Sequence, residues 1–168
     1  MVKIGLLSDT HGWDDERYFK YFKDCDEIWH AGDIGSVALA DKFEKFKPIR
    51  FVYGNIDGQE LRLRYPQHQR FTIEGVSVWI THIGGYPGKY ASEVIPQIYR
   101  NPPQLFISGH SHILKVLFDK TLKSLHLNPG AAGNYGFHKK RTLMRFIIDQ
   151  GNIRDLEVIE LGEELVEK

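Results

Sequence analysis

The chain has 168 residues, with 22 Lys and Arg against 22 Asp and Glu, so its formal net charge is zero. That balance gives no support for a nucleic-acid groove or an anionic membrane surface as a partner, although it is compatible with a homo-oligomer. The length predicts one domain over 1–168, large enough to bury a core. Cys25 is the single cysteine, which excludes an internal disulfide and predicts a cytoplasmic protein, and no stretch approaches the ~20 apolar residues of a membrane span.

The first third of the chain alternates between strand and helix patterns. Strands are predicted over 3–8, 27–32 and 49–54, and helices over 14–25 and 36–46. Asp14 and Ser36 are the predicted N-caps of the two helices. Because a strand–helix–strand order joins parallel strands, this segment predicts a parallel sheet.

The pattern then changes to hairpins and isolated strands. Strands are predicted over 69–82 (a hairpin turning at Glu74-Gly75), 104–109, 113–120, 123–128, 141–149 and 152–161. Residues 89–101 have helical spacing, and Pro96 is expected to kink this helix or to end its first part. The acidic tail, 163–168, is predicted to be a frayed end. The predicted fold class is α/β, with two packed mixed β-sheets flanked by helices.

Polar side chains follow five of the predicted strands, at the point where each strand ends. They are Asp9 and His11, Asp33, Asn55, His82, and His110 with His112. Ligands of open α/β sheets bind beyond the carboxyl ends of the strands, so these side chains are expected to meet. Imidazoles and carboxylates without cysteine suit Mn, Fe, Zn, Ni or Co, and seven ligands suit two ions, which Asp33 could bridge. The uncharged Asn55 could fill a coordination position without neutralising the charge that a phosphate meets.

These side chains lie in the segments SDTHG, HAGDIG, GNIDG, ITHIGG and SGHSH, in that order. The set resembles the calcineurin-like metallophosphoesterase superfamily, and LNPGAAG (127–133) is similar to a segment of its small YfcE-like phosphodiesterases from bacteria and archaea. The resemblance implies the metallophosphoesterase sandwich and a metal site at the carboxyl ends of the strands. It also implies that Asp9, His11 and His112 hold one ion, that Asn55, His82 and His110 hold the other, and that Asp33 bridges them.

The activity implied is two-metal hydrolysis of small phosphodiesters by a metal-bound hydroxide, with Asp33, Asn55 and His110 as catalytic residues. Mn²⁺ is the first choice for both ions, and Fe, Zn, Ni and Co are the other candidates. Asn128 and His138 are candidates for substrate binding. Two other functions stay open: a phosphomonoesterase or protein phosphatase, and a binding scaffold similar to the small subunit of retromer.

Two departures from the family pattern concern the substrate side of the site. Ile56 stands where larger relatives have a histidine that donates a proton, and Ile83 follows His82 where the subgroup often has Gly-His. Asp57 has two readings: it begins a capping box with Glu60, or it supports the metal site from behind. His30, His68 and His126 are expected to be structural or surface residues, although His30 could also support the metal site.

Overall fold

The computed structural model describes residues 1–162, and the predicted frayed end at 163–168 lies outside the described residues. The elements are β1 (Val2–Leu7), α1 (Glu16–Phe22), β2 (Glu27–His30), α2 (Val37–Phe46), β3 (Ile49–Phe51), α3 (Gln59–Arg64), β4 (His68–Ile73), β5 (Val76–Thr81), β6 (Gly85–Tyr86), β7 (Lys89–Tyr90), α4 (Ile95–Arg100), β8 (Leu105–Ile107), β9 (Lys115–Asp119), β10 (Ser124–Asn128), β11 (Arg141–Asp149) and β12 (Asn152–Leu161).

Two five-stranded sheets form the framework. The first has the order β12-β11-β1-β2-β3 and the second has the order β4-β5-β8-β10-β9. In each sheet three neighbouring strands are parallel and the remaining pairings are antiparallel. The predicted fold class, two mixed sheets flanked by helices, is therefore confirmed.

The core lies in three apolar layers. Between the sheets, Trp29, Ile80 and Phe146 belong to one buried cluster. Outside the first sheet, Phe22 of α1 and Phe43 of α2 belong to a second cluster, and outside the second sheet α4 contributes to a third. The central strands are thus covered on both faces, which explains their nearly continuous apolar sequences, whereas the edge strands β4, β9 and β12 expose many of their side chains. Among residues 1–162, no helix is long and apolar enough to cross a membrane.

Two local predictions were wrong. The N-cap of α1 is Asp15, whose carboxylate accepts from the Arg17 backbone N–H at 2.9 Å, whereas Asp14 binds the Lys42 ammonium. The predicted helix over 89–101 is reduced to α4, because β7 pairs with β6 and the helix begins only at Ile95, with proline in its first turn.

Candidate metal centre

The structure gathers six of the seven predicted ligand residues into two groups at one edge of the sandwich. One group is Asp9, His11 and His112, and the other is Asp33, His82 and His110. Within each group, the ligand atoms lie within 4.8 Å of one another. The seventh residue, Asn55, places its Oδ1 3.0 Å from Nδ1 of His110, so it joins the second group. Each group could hold one ion.

Most of these residues have a left-handed backbone. The φ angles are 56° at Asp9, 47° at His11, 55° at Asp33, 71° at His110 and 61° at His112. L-residues adopt this conformation rarely, and Asp and His are among those that adopt it most readily. Such residues cluster at functional sites because the surrounding structure holds them there. The bends turn the side chains at the strand ends toward one another.

Asp9 is fully buried and uses its two carboxylate oxygens differently. Oδ2 accepts the Ser8 hydroxyl at 2.6 Å and the His110 backbone N–H at 3.1 Å. Oδ1 faces Nε2 of His112 at 3.1 Å. Burial acts to raise the pKa of Asp9, but the nearby imidazoles of His11, His112 and His82 and the hydrogen bond from Ser8 outweigh it and hold the pKa far below its usual range. Asp9 therefore presents a charged oxygen to the site.

Asp33 lies between the two groups. Its Oδ2 is 3.1 Å from Nε2 of His82 and 3.4 Å from Nε2 of His11, which belongs to the other group. Its Oδ1 accepts the backbone N–H of Ile56 at 3.1 Å. The backbone at position 56 thus orients the carboxylate. A Cβ at Gly54 would lie 2.0 Å from Asp33 Oδ1, so glycine is required for this approach.

His82 presents Nε2 to the site because its other nitrogen is engaged. Nδ1 lies 2.8 Å from the Ala31 carbonyl and donates to it, which leaves the lone pair on Nε2. Burial acts to lower the pKa of His82, but the carboxylates of Asp33 and Asp9 raise it above the ordinary value. The negative field that favours a proton on this ring also favours a metal cation.

Buried polar atoms without partners show that this residue set fits metal ions. Asp9 Oδ1, His11 Nε2 and His82 Nε2 are buried and have no hydrogen-bond partner. Buried polar groups are nearly always satisfied, so three orphaned atoms facing one another require an explanation. Carboxylate oxygens and imidazole nitrogens are common ligands of borderline divalent cations. Such cations bound between these residues would satisfy all three buried atoms.

Asp57 connects the loops that carry Asp33 and Asn55. It is buried, and its carboxylate accepts three backbone N–H groups, from Gly54 at 2.8 Å, Gly35 at 2.9 Å and Ile34 at 3.2 Å. The N-cap position of α3 is occupied by Gly58, which makes no side-chain cap. The capping-box reading is therefore wrong, and Asp57 supports the candidate site from behind.

The two candidates for substrate binding differ in how they are placed. His138 borders the cleft over the ligand groups, where Nε2 donates to the Gly133 carbonyl at 2.8 Å and Nδ1 is buried without a partner. Burial lowers the pKa of His138, which favours the neutral ring with Nδ1 as an acceptor. Asn128 is buried, and its amide hydrogens bind the Gly109 carbonyl and the Ser111 hydroxyl. It holds the loop around His110 in position.

The remaining histidines have structural environments. His30 is fully buried, accepts the Gly32 N–H at 3.1 Å and lies 3.0 Å from the Thr10 hydroxyl, so it packs in the core directly behind the site. His126 is buried on β10 and donates to the Phe106 carbonyl, whereas His68 is exposed.

Sequence reasoning missed Ser8 and Arg62. Ser8 donates to Asp9, and Arg62 donates to the carbonyls of Asp57 and Asn55. The position of Ser8 directly before Asp9 could have indicated that its hydroxyl supports the Asp9 carboxylate, but nothing in the sequence connected Arg62 to Asn55.

Comparisons with known proteins agree with this geometry. The sequence profile of the calcineurin-like phosphoesterase superfamily domain matches residues 2–151. The chain is 32% identical over 135 residues to a "probable metallophosphoesterase" of Methanothermobacter thermautotrophicus. The matched segment covers 76% of this chain and 76% of that protein. It is 29% identical over 166 residues to a "probable metallophosphoesterase" of Mycoplasma pneumoniae, covering 93% of this chain and 96% of that protein.

Two solved structures share the fold. An archaeal phosphodiesterase matches with a TM-score of 0.75 and 23% identity, covering 95% of this chain and 99% of that chain. Vps29 of Entamoeba histolytica, in complex with Zn²⁺, matches with a TM-score of 0.70 and 13% identity, covering 94% of this chain and 98% of that chain.

Proposed function

The chain belongs to the calcineurin-like phosphoesterase superfamily, and we propose that it is a two-metal hydrolase of small phosphodiesters in the cytoplasm. The observation that carries this proposal is the pair of ligand groups joined by Asp33, whose Oδ2 lies within 3.4 Å of an orphaned imidazole nitrogen from each group. One ion would be held by Asp9, His11 and His112. The other would be held by Asn55, His82 and His110, with Asp33 as the bridge.

The metal ions, when bound, supply the Lewis acidity that makes hydroxide available near neutral pH and offsets charge on the phosphate. Mn²⁺ is the first proposed ion. A mixed set of imidazole and carboxylate ligands suits Mn, and it also suits Fe, Zn, Ni and Co. The chain's own part is orientation. Ser8 and the His110 amide hold Asp9, the Ile56 amide holds Asp33, and the Ala31 carbonyl holds His82.

The charge around the ligand groups favours a diester over a monoester. In the described part of the chain, the cleft that borders His11, His110 and His112 is lined by neither Lys nor Arg. A monoester dianion carries one more negative charge than a diester, and so gains more from cationic side chains beyond the metals. Arg62 lies in a neighbouring cleft, where it already binds two backbone carbonyls.

Metal removal and one substitution test the proposal. We expect protein stripped with a chelator to be inert toward bis(p-nitrophenyl) phosphate and to recover with Mn²⁺. Asp33→Asn is expected to lose activity by about 10²-fold or more, because the bridge to both groups is removed. Metal content is measured on the same samples. Full turnover by protein that elemental analysis shows to be metal-free would refute the proposal.

A comparison of two substrates tests the diester assignment. We expect a higher kcat/KM on bis(p-nitrophenyl) phosphate than on p-nitrophenyl phosphate. A tenfold preference for the monoester would assign the site to phosphomonoesters instead. If metal binds but no ester is hydrolysed, the chain acts as a binding scaffold on this fold.

A further inference from the structure

Two clefts of different character meet at Asn55. The first has a volume of about 390 Å³, borders His82 and is lined mostly by polar side chains, together with Ile83 and Ala91; we name it the polar cleft. It includes Tyr53, Arg62, Gln67, Ser92 and Glu93. The second has a volume of about 490 Å³, borders His11 and His112, and carries apolar side chains; we name it the apolar cleft. It includes Ile56, Ile113, Tyr135 and Phe137.

The apolar cleft exposes side chains that are usually buried. Ile56 is 46% exposed and Ile113 is 57% exposed, and Phe137 is fully exposed beside them. Tyr135 stacks on the ring of His11 with a centroid separation of 4.9 Å. Contiguous exposed apolar groups that border a polar site mark a surface on which an apolar group binds. The ring of Tyr135 places such a surface directly against a metal-ligand residue.

The polar cleft offers hydrogen bonds in several directions. The Arg62 guanidinium stacks over the Tyr53 ring, 4.8 Å from its centroid, and is fixed by its bonds to the carbonyls of Asp57 and Asn55. On another wall, the exposed Gln67 amide donates to the Glu93 carboxylate at 3.5 Å, so an amide and a carboxylate also line this cleft. Fixed donors and acceptors around an aromatic ring suit a polyhydroxyl or nucleoside group.

A phosphodiester has two substituents, and this site has two unlike clefts that meet at one metal-ligand residue. We propose that the protein selects phosphodiesters with two different substituents: an aryl or similarly apolar group in the apolar cleft, and a nucleoside or sugar group in the polar cleft. This rests on the proposed function, because the phosphate is assigned to the metal centre. It makes Ile56 a specificity-determining residue, which accounts for an isoleucine beside Asn55.

The chain supplies a matched control for Ile56. Ile83 is 45% exposed, also follows a predicted metal-ligand residue, and lines the polar cleft. Binding of phenylphosphonate and methylphosphonate to the Mn²⁺-loaded protein is measured by calorimetry, which requires no hydrolysis. We expect the wild type to bind phenylphosphonate about tenfold more tightly, the size expected for a small apolar contact. Ile56→Ser is expected to abolish most of that preference, and Ile83→Ser to retain it.

The polar cleft is tested with two substrates that share a leaving group. Thymidine 5′-(p-nitrophenyl phosphate) and methyl p-nitrophenyl phosphate both release p-nitrophenolate, so their ratio of kcat/KM reports the second substituent. We expect the wild type to favour the nucleoside ester about tenfold. Gln67→Ala is expected to reduce that ratio severalfold, mainly through a lower kcat/KM for the nucleoside ester.

The outcomes separate this inference from the proposed function. If the protein hydrolyses diesters with metal but binds both phosphonates equally, or if both isoleucine variants lose the preference alike, the assignment of the apolar cleft is overturned. If the two esters are cleaved equally, the assignment of the polar cleft is overturned. If the phenyl preference depends on Ile56 but no ester is hydrolysed, the proposed function fails while the apolar cleft stands.

Discussion

Asp57 offers a direct test of how the two ligand-bearing loops are held together. In Asp57→Asn, the amide oxygen can keep the bonds that Oδ2 accepts from Gly54 and Ile34, at 2.8 Å and 3.2 Å. The amide nitrogen then faces the Gly35 N–H, which is also a donor, so the bond at 2.9 Å is lost. A hydrogen bond to a charged group contributes ~1.5–3 kcal/mol, and the two retained bonds weaken with the charge, so the expected destabilisation is about 3 kcal/mol.

This change is measured by urea unfolding and by thermal unfolding of metal-free protein. For a chain of this size, about 3 kcal/mol lowers Tm by roughly 6–12 °C. Because Asp33 and Asn55 lie on the two joined loops, we also expect metal affinity to fall by about 10–100-fold. Calorimetric titration of Mn²⁺ into wild type and variant measures that loss.

Glu60→Gln is the control, because Glu60 is exposed and is the residue that a capping box would use. A surface substitution of this kind changes the free energy of unfolding by less than about 0.5 kcal/mol. The reasoning fails if Asp57→Asn unfolds with the free energy of the wild type, or if Glu60→Gln is destabilised as much as Asp57→Asn.

Three further predictions follow from individual residues. Burial lowers the pKa of His126 from 6.5 to about 4. Between those two pH values the unfolded chain binds a proton that the folded chain does not, so stability falls as the pH drops from 6.5 to 4. In urea titrations, the free energy of unfolding of the wild type, relative to His126→Gln, is expected to fall by about 3 kcal/mol between pH 7 and pH 4. Gly54→Ala places a Cβ against Asp33 and should reduce metal affinity by about tenfold or more in calorimetry, whereas Gly58→Ala, whose Cβ meets nothing within 4 Å, should not. Because Ile56 cannot donate a proton to the leaving group, the logarithm of kcat/KM should fall steeply as the pKa of the leaving group rises across a series of diesters. A shallow slope, measured where the chemical step is rate-limiting, would mean that another residue acts as the general acid.

The position of the site followed from the sequence because it depends on a rule of sheet geometry. Each predicted ligand residue follows a strand, and the carboxyl ends of parallel strands lie at one edge of a sheet. Asp33 after β2 and His82 after β5 come from different sheets, yet Nε2 of His82 and Oδ2 of Asp33 lie 3.1 Å apart. The grouping into two ion sites came from the family resemblance; the structure brings Asp9, His11 and His112 together, and it places Asp33 with His82 and His110.

The errors arose where a local pattern competed with a distant contact. Asp57 and Glu60 have capping-box spacing, but the Asp57 carboxylate instead binds amides at Ile34 and Gly35, which the sequence places more than 20 positions away. In residues 89–101, Val94 and Ile98 are buried as the helical spacing suggests. The segment before Ile95 nevertheless forms a strand and turns, because the Ala91 N–H binds the Gly84 carbonyl. Helical periodicity therefore identified Val94 and Ile98 as buried, but it assigned the wrong backbone to the residues before Ile95, and Ile95 itself is 43% exposed.

The left-handed backbone of the ligand residues has a consequence for how this chain can change under mutation. A non-glycine residue held in that conformation costs on the order of 1–3 kcal/mol, and His11 and His112 both bear that cost. Replacing either by glycine relieves it, so loss of an imidazole at these positions can raise the stability of the fold. A duplicated copy freed from selection for hydrolysis would drift readily toward a more stable protein that no longer holds metal. Under the proposed function, selection on activity is what keeps these two imidazoles in place.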